Sequence, residues 1–171
     1  EVQPRDEASL FRWFLASFLF GNRIPQAVAA QTWRVLVVTH GLDTPRRLCA
    51  CNHRELVRML GEGGYRRYDE STAERLTLLC RTLIDQYGGR ILGIAEGATD
   101  REDFERRVLA FKGVGPVTLG IFMREAGPAL LIDPSCKNTI SGFSSGYRYA
   151  VNTKGVKSDK PDKNAYSHLA D

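Results

Sequence analysis

Two helix-patterned stretches meet at Lys112-Gly113-Val114-Gly115-Pro116, inside the run FERRVLAFKGVGPVTLGIF at residues 104–122. Few joints constrain a chain more. Glycine relaxes the backbone where positive φ or close approach is needed. Pro116 suits the first position of a new helix, where its missing N–H costs nothing. The result is a tight turn with unpaired backbone N–H groups at the foot of a helix. The helix dipole adds partial positive charge there, so the turn suits a phosphate oxygen. Lys112 adds a charge beside the turn, Thr118 a hydroxyl one step into the helix, and Val114 an apolar anchor for the hairpin. Glycine after one helix and proline at the start of the next is equally the ordinary punctuation of packed helices.

The pattern before this hairpin is helical throughout. Residues 8–20 have almost no polar face and read as a central buried helix. A second helix is expected from about Gln26 to Thr39, closed by Gly41. Thr44-Pro45 opens a short helix through Cys49, and Asn52 caps another through Leu60. Glu70–Tyr87 is the clearest amphipathic stretch, with Ala73, Leu76, Leu79, Cys80, Leu83 and Tyr87 at helical spacing. Thr99 with Glu102 reads as a capping box for the helix leading into the hairpin. The next helix is expected over 117–125, and Leu130–Ile132 reads as a brief strand-like run. From Ser141 onward Gly, Ser, Asn, Lys and Asp dominate, and residues 152–164 lack any periodic apolar face. The fold class expected is mainly α, with a helical domain over 1–126 and an irregular, partly extended, loop-rich tail over 127–171.

With 171 residues, net charge +4 and pI near 9.0, the chain is mildly basic, which is compatible with a phosphate-rich partner without requiring one. The apolar run Trp13–Phe20 is far shorter than the ~20 residues a bilayer span needs, so no membrane role is expected. Cys49 and Cys51 form C-x-C rather than C-x-x-C, with no histidine at ligand spacing, which favours reduced thiols over a metal site. No signal peptide is visible. A cytoplasmic monomer, prokaryotic or phage-associated, is the expectation.

Residues 8–126 resemble the endonuclease III-like DNA glycosylases, the helix-hairpin-helix (HhH-GPD) superfamily of base-excision repair. The resemblance is carried by LFRWFLASFLFGNRIPQAVAAQTWRVL, by ELVRMLGEGGYRRYDESTAERLTLLCRTLIDQYGGRI with its G-x-Y-x-x turn, and by REDFERRVLAFKGVGPVTLGIFMRE, where the family reads L-P-G-V-G-x-K-T-A. It implies that Gly113, Val114 and Gly115 clamp a phosphate of double-stranded DNA through backbone amides, with a monovalent cation at the turn. It implies that Asn22 and Arg23 enter the gap left by a flipped base, and that Tyr65 and Arg66 line the base pocket. Extrusion is needed because the reacting glycosidic carbon is inaccessible in the stack. From the residues alone, Asn22-Arg23 is equally a helix-ending loop and Tyr65 a core aromatic.

The departures narrow the chemistry. Bifunctional members carry a lysine two residues beyond the second glycine of the hairpin, where this chain has Val117, which cannot form a Schiff base. Monofunctional members use an aspartate about 15–20 residues further on as the glycosidase-type carboxylate, and Asp133 stands at about that distance. The family's D-T-H-x-x-R is replaced by Asp133-Pro134-Ser135-Cys136-Lys137, and the four-cysteine iron–sulfur loop has no counterpart, so no cluster is expected. The tail, PALLIDPSCKNTISGFSSGYRY and KPDKNAYSHLAD, resembles instead the C-terminal end of phage terminase large subunits, which implies that Asp171 is one metal-binding carboxylate of a nuclease. A two-metal site needs several such carboxylates. Three functions follow: a monofunctional, or inactive, DNA glycosylase-like protein; a non-catalytic binder of the DNA backbone; and a packaging-terminase fragment.

Overall fold

The computed structural model describes residues 6–131, 149–151 and 157–161. Eight α-helices span the first of these segments: α1 (Glu7–Phe20), α2 (Gln26–Arg34), α3 (Pro45–Ala50), α4 (His53–Glu62), α5 (Asp69–Tyr87), α6 (Ile91–Gly97), α7 (Arg101–Leu109) and α8 (Pro116–Leu131). α2 runs on into a π-helical turn at Val35–Thr39. Two short strands, β1 (Tyr149–Val151) and β2 (Lys157–Pro161), pair antiparallel with Val151 opposite Lys157.

α1 is the buried axis. Leu10, Phe11, Phe14, Leu15, Phe18 and Leu19 are each at most 3% exposed. The ring of Phe14 meets Phe111 and Phe122 edge-on, at centroid distances of 6.1 and 5.1 Å. Those two residues flank the 112–116 turn, so α1 holds both arms of the hairpin. Indole N–H groups tie two helices to α1: Trp13 Nε1 donates to the Phe122 carbonyl of α8 at 3.1 Å, and Trp33 Nε1 of α2 donates to the Arg12 carbonyl at 2.9 Å. Gly21 makes the close approach feasible, because a Cβ there would lie 2.1 Å from Thr118 Oγ1.

Several helix starts follow local rules. Thr44 caps α3 ahead of Pro45, and Asn52 caps α4 in a complete capping box with Glu55. Three expectations need correction. The cap of α7 is Asp100, whose carboxylate accepts the Asp103 amide at 2.8 Å, rather than Thr99. α8 does not end at 125; it continues through Pro128 to Leu131, and Leu130 is a helical core residue rather than a strand. Pro128 lies inside α8 at an exposed position. Lys157–Pro161, expected as loop, pairs with β1.

One helix was not anticipated. α6 follows Gly88-Gly89 and contains Gly93, and its starting amides are capped from far away in the chain. The Glu7 carboxylate accepts from Ile91 N and, at 3.1 Å, from Leu92 N.

Candidate nucleic-acid interface

The hairpin turn has the geometry its composition suggests, with two refinements. Gly113 adopts φ +90°, a conformation strained for any residue with a Cβ. A Cβ there would also lie 3.0 Å from Arg75 Cδ and 3.1 Å from Phe18 Cε2. Val114 is buried and anchors the turn, but its amide donates to the Phe111 carbonyl at 3.0 Å and is not available to a ligand. The amides of Gly113 and Gly115 make no hydrogen bond with any described residue. Gly115 has ordinary φ and nothing within 4 Å of the place its Cβ would occupy. So protein packing does not demand glycine at 115; open space lies in front of it. Lys112 is exposed, with its Nζ 4.0 Å from Glu74 Oε1.

Thr118 is corrected. It is 3% exposed, and its hydroxyl faces Gly21 rather than the outer surface of the turn. Its role is in the α1–α8 contact. Val117 is 64% exposed beside the turn.

Adjacent to the hairpin is a cleft of about 420 Å³ lined by Asn22, Arg23, Ile24, Tyr65, Arg67, Tyr68, Ser71, Thr72 and Arg75. Three segments build it. The loop after α1 supplies Asn22 and Arg23, and Asn22 Nδ2 ties back to the Phe18 carbonyl at 2.8 Å. The turn between α4 and α5 supplies Tyr65, Arg67 and Tyr68. Gly63 seats that turn on α2, since a Cβ there would come within 2.5 Å of Thr32. The first turns of α5 supply Ser71, Thr72 and Arg75. Tyr65 is 2% exposed and its phenol oxygen is 3.2 Å from Thr72 Oγ1, so it is a floor residue, with its hydroxyl already partnered.

Asn22, Arg23 and Tyr65, singled out separately in the sequence, are thus brought to one cleft. Arg66 is exposed but is not among the lining residues; its neighbour Arg67 is. Arg67, Tyr68 and Arg75 escaped sequence reasoning. Arg75 sits on the polar side of an amphipathic helix, where a charge carries no signal by itself. Only the fold sets it against both Gly113 and the cleft. Among the described residues the lining holds three arginines and no carboxylate, and none of Arg23, Arg67 and Arg75 forms an ion pair with another described residue. An arginine fork without a carboxylate partner suits an external anion. Asp133, expected as the catalytic carboxylate, and Asp171, expected as a metal ligand, lie outside the described residues.

Comparison with solved structures gives the fold a counterpart. The chain is similar to an endonuclease III captured with DNA as a trapped covalent intermediate in an estranged-adenine complex, with a TM-score of 0.51 and 21% identity. The likeness covers 67% of this chain and 47% of that one, so the chain spans about half the length of the protein it matches. Over the matched residues the helical fold resembles that of endonuclease III. No protein-family model matches the sequence, and no curated protein does. Among the described residues no helix is long and apolar enough to cross a membrane.

Proposed function

We propose that this chain binds double-stranded DNA through its phosphate backbone and acts as a monofunctional, DNA glycosylase-like protein of base-excision repair. One observation carries the reading. The Gly113 and Gly115 amides, with no hydrogen-bond partner among the described residues, lie near three arginines that form no ion pair with a described residue, and Arg75 both lines the cleft and approaches Gly113. Amides at a helix foot hold one phosphate, and the guanidinium groups hold others, without reading base sequence. The cleft then receives an extruded nucleotide between Asn22-Arg23 and the Tyr65 floor. The likeness to an endonuclease III bound to DNA supports this use of the fold.

The chemistry follows from the residues available. Val117 has no nucleophile, so cleavage does not run through a Schiff base at that position. Hydrolysis needs a carboxylate to stabilise the oxocarbenium-like transition state and activate water, and that role is assigned to Asp133. Binding and chemistry separate in one experiment. Labelled duplexes bearing damaged or mismatched bases are titrated at increasing salt, then treated with alkali to reveal abasic sites. If Lys112, Arg23, Arg67 and Arg75 each neutralise one phosphate, the log–log slope of affinity against salt is about −3.6. Asp133→Asn should abolish alkali-sensitive breaks and leave that slope unchanged. A slope near zero refutes the interface. Binding with the predicted slope but no breaks on any substrate refutes the hydrolase and leaves a backbone-binding module.

A further inference from the structure

The cleft carries a feature that phosphate binding does not explain. Tyr68 is the one non-glycine residue among those described with positive φ, at φ 66° and ψ 20°. It sits just before α5, a position where Gly or Asn would meet the same backbone demand at lower cost. The residue is 58% exposed, although a tyrosine gains little from projecting into water. The Arg67 guanidinium carbon lies 5.0 Å from the ring centroid, within cation–π range. Its hydroxyl makes no hydrogen bond with a described residue, whereas Tyr65 at the floor has a partner in Thr72. A strained, exposed aromatic, backed by a cation at the edge of an arginine-lined cleft, is arranged for contact with something planar. Strain of this kind persists where the site uses it.

We propose that Tyr68, steadied by Arg67, is a stacking platform for an unpaired nucleobase at the mouth of the cleft. In this arrangement Arg23 and Arg75 hold the flanking phosphates while the ring of Tyr68 holds the π-face of a base that has lost its partner. The inference rests on the DNA-binding reading above and adds a substrate preference: duplex with a displaced or unpaired base over intact duplex. Stacking on an aromatic side chain is tolerant of base identity, because every base has a π-face. Tyr68 would thus select for helix distortion rather than for a particular lesion.

The test uses the full chain and two duplexes, one fully paired and one with a single unpaired 2-aminopurine. Wild type should bind the second about tenfold more tightly and quench its fluorescence. Tyr68→Phe should keep both properties. Tyr68→Ala should lose the preference and the quenching while binding the paired duplex within about twofold of wild type. Tyr68→Gly, which relieves the positive φ, guards against a folding defect and should lose them equally. Retained preference and quenching in Tyr68→Ala would overturn the platform and leave the backbone interface standing. So would equal weakening on both duplexes, the mark of a structural role. Failure of wild type to bind either duplex removes both proposals.

Discussion

Gly115 offers a substitution in which folding and binding should move in opposite directions. It precedes Pro116, the first residue of α8, so it occupies the capping position of that helix. Its φ is not positive, and a Cβ there meets nothing within 4 Å. Gly115→Asp therefore introduces a good capping residue with no steric cost, and its charge faces the positive end of the helix dipole. Capping gains a few tenths of a kcal/mol over glycine. The dipole adds about 0.3–1 kcal/mol. Thermal stability should be unchanged or slightly raised. Binding should suffer twice. The new carboxylate occupies the foot of α8, in the space a phosphate would fill, and it repels a phosphate held there. At about 6 Å and an effective dielectric of about 20–40 the repulsion is roughly 1.4–2.8 kcal/mol. That corresponds to about 10- to 100-fold in affinity. The measurement is fluorescence anisotropy with a labelled duplex at low salt, beside a thermal melt of the same sample. If the melt rises or holds while affinity changes less than about twofold, the phosphate is not gripped at this turn.

Gly113→Ala should do the reverse at the same turn: φ +90° and the contacts to Arg75 and Phe18 make it destabilising by about 1–3 kcal/mol, read as a lowered denaturant midpoint. Cys49 should be an alkylation hot spot. A hydrogen bond from the Cys80 thiol, helped by Arg81, brings its pKa down to about 7. Its iodoacetamide rate should therefore rise through neutral pH and level off above about pH 8; Cys80→Ala should move that profile upward. Asp103 is held at about 2, first by the Arg106 hydrogen bond and then by the Thr99 amide at 3.0 Å. Its folded value lies below the ordinary 3.8, so its contribution is present above that value and is lost as pH falls toward 2. Acid melts of Asp103→Asn should show a shallower loss between pH 4 and 2 than wild type; identical curves would dismiss the link.

Local chemistry accounts for much of what was legible in the chain. The caps at Thr44 and Asn52, the long amphipathic α5 and the glycine-proline hairpin all act within a few residues of themselves, so they survive any tertiary arrangement. Asn22, Arg23 and Tyr65 could be singled out, yet nothing along the chain said that they share a cleft. Four features came only from packing. α6 starts where Glu7, far off in sequence, caps its amides, a partner no local window contains. The Thr118 hydroxyl, plausible as a ligand contact, turns inward because Gly21 leaves room for it. Arg75 becomes a functional candidate because α5 passes beside Gly113. Tyr68 stands exposed because the turn before α5 takes a left-handed residue, a backbone state that neighbouring side chains do not announce. Helix formation is a short-range process written in spacing and caps, whereas a binding surface is a juxtaposition, and juxtaposition is settled when the buried face of α1 selects its neighbours.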